Sequence, residues 1–155
     1  MTSSLGRRGE GFTLVELLIV MVMVGILAGI AVPAFRNAVW KARAAEAVSD
    51  VHTVTLAYHN YLAGGGGILN SGDWGTVPPA LEPYLDEGFS FSTEAAEYRW
   101  TRVEPGASPW GLEMGMLTVR PLASVRNLLL PKLAMVAPTN TSVVTSTQVR
   151  FYITP

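Results

Sequence analysis

The sequence predicts an α+β protein in which a long N-terminal helix, transmembrane in its first part and amphipathic in its second, packs on a small antiparallel β-sheet. Three observations lead there. Residues 12–32 are apolar but for one ionisable side chain. Apolar residues then recur at three- and four-residue spacing as far as Leu62, the period of a helix with one buried face. Beyond residue 96, short stretches of strand character are separated by turn formers.

Bulk properties set the frame. A chain of 155 residues suits one small core plus one extra element. Apolar residues make up 49% and charged residues 15%, yet the mean hydropathy of +0.31 reflects a hydrophobic surplus crowded near the start. The net charge is −1, and removing residues 1–11 takes away Arg7, Arg8 and Glu10 to leave 9 basic and 11 acidic side chains, a charge of −2. A strong electrostatic hold on nucleic acid is not indicated, although a local patch is not excluded. With no cysteine there is neither a disulfide framework nor a thiolate metal site.

From Phe12 to Val32 the run FTLVELLIVMVMVGILAGIAV would form a helix about 31 Å long at 1.5 Å per residue, enough to cross the hydrocarbon of a bilayer. A removable secretory signal would have a shorter apolar region and a small-residue cleavage site after it. An ordinary anchor would rarely carry a carboxylate in its first two turns, because an uncompensated charge in hydrocarbon costs about 2.5–3.5 kcal/mol. Glu16 must therefore reach water, take up a proton, or find a partner. Arg7 and Arg8 precede the run, and the positive-inside tendency keeps that end in the cytoplasm and sends the C-terminus outward.

The residues GEGFTLVELLIV, Gly9 to Val20, resemble the prepilin signature: a short basic leader ending in glycine, then phenylalanine, then Thr-Leu-Val-Glu opening a long apolar helix. The resemblance implies a type IV pilin-like protein, a structural subunit of a type IV pilus or a type II secretion pseudopilus. It further implies cleavage by a prepilin peptidase between Gly11 and Phe12, N-methylation of Phe12, and a role in assembly for Glu16, the fifth residue of the mature chain. Physics supplies a reason for that role. A new α-ammonium at Phe12 and a carboxylate at Glu16 would both be costly in a fibre core, and pairing them across neighbouring subunits cancels two charges.

The resemblance covers about residues 6 to 33. The partners it implies are other pilin-like subunits, in homo- and hetero-oligomers, the prepilin peptidase, an inner-membrane assembly platform and the membrane itself. The precursor would be a single-pass inner-membrane protein with its C-terminus outside, and the mature chain would lie in a surface pilus or a periplasmic pseudopilus. The expected organisation is a leader at 1–11, a transmembrane and assembly half-helix at 12–33, an amphipathic half at 34–62 and a β-rich domain at 63–155. Without cysteines the C-terminal disulfide loop of many major pilins cannot form, and with no acid after Glu113 the calcium loop of major secretion pseudopilins is not expected. No cofactor is implied.

Pro33 lies inside the long helix, where it removes a hydrogen bond and crowds the preceding turn, so a kink or local melting is expected between Gly29 and Pro33. A proline here also resembles the family and joins Glu16 as an assembly residue. Gly25 and Gly29 form a small-xxx-small pair that would let helices approach closely. Phe35, Val39, Ala42, Ala45, Val48, Val51, Thr55, Tyr58 and Leu62 trace the apolar face of the second half, with Arg36, Arg43, Glu46, Asp50 and Asn60 between them. His52 and His59 share a helical face, but with no further ligand near in sequence they do not make a metal site.

Gly64 to Gly67 end the helix; with no following Lys and no preceding strand they do not make a phosphate loop. Residues 70–91 are rich in turn formers, with a short helix expected around Ala80 to Leu85. Strands are expected at Glu97–Val103, Leu112–Arg120 and Gln148–Thr154, with a turn at Pro105–Trp110 and a helix over Leu122–Met135 that Pro131 would interrupt or bend.

No catalytic grouping holds together: there is no Gly-x-Ser-x-Gly elbow, no His-Glu-x-x-His and no cysteine nucleophile. The chain is not expected to be an enzyme. Asp73, Glu82, Asp86 and Glu87 read as a solvated acidic surface. Trp74, Trp100 and Trp110 read as core packing rather than a binding platform. Two alternatives stay open, a single-pass anchored adhesin and a DNA-uptake minor pilin. For the latter, Arg99, Arg102, Arg120, Arg126, Lys132 and Arg150 face eight acids after residue 62.

Overall fold

The computed structural model describes residues 11–139 and 142–154. Helix α1 (Leu14–Ala63) is followed by strands β1 (Ala96–Val103) and β2 (Met114–Pro121), helix α2 (Arg126–Val136), and strands β3 (Ser142–Val144) and β4 (Val149–Ile153). The strands form one antiparallel sheet in the order β1-β2-β4-β3, so the chain is α+β as the sequence predicts. The described residues fall into two compact units divided between Ala38 and Val39.

In the first unit every described residue up to Arg36 is exposed, including each large apolar side chain from Phe12 to Phe35. The helix is continuous through Pro33, so the expected local melting does not occur. Proline there withholds only its own N–H from the Gly29 carbonyl, and the hydrogen bonds on either side suffice to hold the turn.

In the second unit the buried face of α1 is Ala44, Ala47, Val51, Val54, Ala57 and Tyr58. This corrects the stripe read from sequence: Ala42 and Ala45 are exposed. Alanine occurs on several faces between residues 42 and 47, and the larger Val51, Val54 and Tyr58 decide which one turns inward. All of these buried residues but Ala57 cluster with Tyr98, Trp100, Leu117, Val119, Val149 and Phe151, the inner side of the sheet, and with Leu129 and Leu133 of α2.

Trp100 fills the centre of this core, fully buried, with its ring 4.7 Å from that of Tyr58 and its indole N–H donating to the Leu69 carbonyl at 3.4 Å. Gly115 makes room for it, since a Cβ there would overlap the indole ring. Burial also raises the pKa of the Tyr58 hydroxyl, which has no hydrogen-bond partner among the described residues.

The end of α1 is a Schellman turn: Gly65 N–H donates to Leu62 O at 2.9 Å, Gly66 N–H to Tyr61 O at 3.0 Å, and Gly65 has φ +89°. The expected strands are present with ends shifted by one or two residues, and a 3₁₀ turn at Glu82–Tyr84 stands where the short helix was expected. Helix α2 starts at Arg126, later than predicted, and runs through Pro131 without a break. Strand β3 escaped sequence reading because SVV is three residues long and carries no alternation. It is held by its register with β4, from Ser142 opposite Phe151 to Val144 opposite Val149.

Candidate functional site

Gly11, Phe12 and Thr13 are exposed and non-helical, and the helix opens at Leu14. Its first turn is closed by reciprocal hydrogen bonds. The Thr13 hydroxyl accepts from Glu16 N–H at 3.2 Å and donates to Glu16 Oε2 at 2.8 Å, and Thr13 N–H donates to the same oxygen at 2.9 Å. This is a capping box, in which a threonine before the helix and a glutamate three residues on satisfy each other's orphan backbone donors.

Glu16 is thus held by its own chain at one oxygen. Among the described residues its Oε1 has no partner, and the side chain is exposed. Sequence reading asked what could partner Glu16 and missed this answer, although Thr-x-x-Glu before an apolar run is a legible signal. A carboxylate in the first helical turn also faces the positive end of the helix dipole, which favours it there.

The remaining sites expected from sequence separate by position. Gly25 and Gly29 face open space, with nothing within 4 Å of a Cβ built on either. Pro33 is exposed one turn after Gly29. Arg7 and Arg8, and with them the leader up to Glu10, lie outside the described residues. Phe12 and Glu16 both belong to the first unit.

In the second unit, His59 Nε2–H donates to the Thr154 carbonyl at 3.0 Å while His52 is exposed, and among the described residues no group of three or more His, Asp or Glu is placed to hold a metal ion. Of the tryptophans, Trp100 is core and Trp74 is partly buried beneath Arg120 and Arg99, whose guanidinium carbons lie 3.8 and 4.6 Å from its ring centre. Trp110 is 50% exposed and meets Tyr152 edge-on at 5.5 Å. Of Trp74, Trp100 and Trp110, core packing therefore describes Trp100 alone.

Residues 6–32 match the family described as the prokaryotic N-terminal methylation motif. The chain is 37% identical over 84 residues to a fimbrial protein of Pseudomonas aeruginosa, covering 54% of this chain and 51% of that protein. It is 38% identical over 65 residues to a fimbrial protein of Neisseria meningitidis serogroup B, covering 42% and 35%. It is 33% identical over 87 residues to the type II secretion system core protein G of Escherichia coli (strain K12), covering 52% and 60%. The chain spans about half the length of the first of these relatives, and no solved structure gives a significant match. One described helix is long and apolar enough to cross a membrane. The methylation motif, that helix and relatives of both fimbrial and secretion type together support a type IV pilin-like protein.

Proposed function

We propose that this chain is a structural, non-catalytic subunit of a type IV pilus or a type II secretion pseudopilus. A prepilin peptidase cuts between Gly11 and Phe12 and the new amino group of Phe12 is methylated. The subunit waits as a single-pass inner-membrane protein with residues 12–33 in the bilayer and residues 63–155 outside. An assembly platform then draws it, with other pilin-like subunits, into a helical fibre.

One observation carries this reading. The helix start presents an exposed carboxylate oxygen, Glu16 Oε1, at the head of a wholly exposed apolar helix surface. In a bundle of such helices the apolar surfaces bury one another, and the α-ammonium of Phe12 in an adjacent copy supplies the charge that Glu16 Oε1 lacks. Fimbrial relatives and a secretion-system relative support the two named systems. Mass spectrometry of the chain recovered from its native membrane tests the proposal. The expected first residue is N-methylated Phe12; a chain still beginning at Met1 would overturn it.

A further inference from the structure

The solvent side of the sheet gathers polar groups that the fold leaves unpaired. Arg99 of β1 stands opposite Thr118 of β2, and Thr118 opposite Arg150 of β4, so the three form a cross-strand row on one face. Their neighbours Tyr98, Trp100, Leu117, Val119 and Phe151 are buried on the other face. Thr118 is 0% exposed, and among the described residues its Oγ1 has no hydrogen-bond partner; the same holds for Thr101 Oγ1 and Arg99 Nε beside it. Buried donors without partners are rare and costly, and three adjoining ones call for a common acceptor.

The charges point the same way. Arg120 is paired with Glu97 at 2.6 Å and Arg102 with Glu113, whereas among the described residues no carboxylate reaches Arg99 or Arg150. Arg99 is held in place over the Trp74 ring, and Gln148 can steady Arg150 by accepting from its guanidinium at 3.0 Å. Beside the row an open depression of about 390 Å³ is bordered by Thr101, Met116, Arg150 and Tyr152, with Glu104 on its rim.

We propose that this row binds a tetrahedral oxyanion, a phosphate or sulfate group, entering from the depression. The guanidinium groups of Arg99 and Arg150 offer forked N–H donors suited to such oxygens, and the hydroxyls of Thr118 and Thr101 donate to the same group. A free anion and a monoester share this chemistry, and the Met116 and Tyr152 wall gives an ester's organic part an apolar place to lie.

The test is calorimetric titration of the full chain in detergent micelles with inorganic phosphate and with phenyl phosphate, at ionic strength held constant with chloride. Saturable one-to-one binding is expected, weakened about tenfold or more in Arg99→Gln, Arg150→Gln and Thr118→Val, in line with the loss of one charge-assisted or buried hydrogen bond. Tighter binding of phenyl phosphate supports the site with an ester as its ligand; equal affinity supports it with the free anion. The proposal fails if neither compound gives saturable heat. It also fails if Thr118→Val merely raises the melting temperature, as removal of an idle buried hydroxyl would, and binds phosphate as the parent does.

Discussion

The hydroxyl of Tyr98 in β1 donates to Asp50 Oδ2 in α1 at 2.6 Å, 48 residues away in sequence. Tyr98 is almost wholly buried and Asp50 is partly exposed, so the bond joins helix to sheet at the edge of the core. Tyr98→Phe should lower stability by about 1.5–3 kcal/mol, the range for a hydrogen bond to a charged group. Urea unfolding of both chains in the same detergent checks the value, and Asp50→Asn completes a double-mutant cycle that isolates the pair.

The same tyrosine predicts an alkaline weakness. Burial first, and then the bond to Asp50, raise the Tyr98 pKa far above its ordinary value of 10.0. The unfolded chain therefore releases this proton as pH passes 10 while the folded chain keeps it. The stability that the group contributes is present below pH 10 and declines above it, by about 1.4 kcal/mol per pH unit. Urea midpoints at pH 9 and pH 11 should differ more in the parent than in Tyr98→Phe; equal differences would show that Tyr98 is not the group responsible.

Gly115 and Trp100 predict a packing failure with a built-in rescue. Gly115→Ala places a methyl group in the space of the indole ring and should cost about 1–3 kcal/mol, as overpacked cores do. Trp100→Phe frees that space, so the pair of substitutions should cost less than their sum. Thermal melts of the two single variants and the double variant measure this directly.

At the end of α1, Gly65→Ala and Gly67→Ala should differ. Gly65 sits at φ +89°, where a side chain costs about 1–2 kcal/mol. Gly67 has ordinary φ and nothing within 4 Å of an added Cβ, so alanine there should change stability by no more than about 0.5 kcal/mol. Melting temperatures of the two variants decide it.

Glu16 and Thr13 allow capping to be told apart from registry between subunits. Thr13→Ala removes the cap, at about 1 kcal/mol of local helix stability, but leaves the carboxylate. Glu16→Ala removes both. If Glu16 pairs with a neighbour's amino group, Thr13→Ala should still enter sheared fibres while Glu16→Ala is trimmed normally and absent from them. Equal loss in both variants would assign Glu16 a capping role only.

Much of this was legible because it rests on period and on punctuation. The apolar run, the glycines after Ala63 and the alternation in Val149, Phe151 and Ile153 each act locally, and each lies where the sequence places it. The face of α1 was misjudged because alanines at 42, 44, 45 and 47 carry little preference, and the packing of Val51, Val54 and Tyr58 settles the matter from a distance. Neither Pro33 nor Pro131 interrupts its helix, since each removes one hydrogen bond from a helix that has others. The pairing of Asp50 with Tyr98 and the row through Thr118 depend on strand register, which no local pattern encodes.

The capping box has one more consequence. Because helical bonding begins only at Leu14 and both Gly11 and Phe12 are fully solvent-facing, the peptide link between them belongs to open backbone. On the proposed cleavage between Gly11 and Phe12, a peptidase would reach this bond without unwinding a helical turn. Thr13 thereby acts as a fence post, marking where non-helical backbone stops and helix begins.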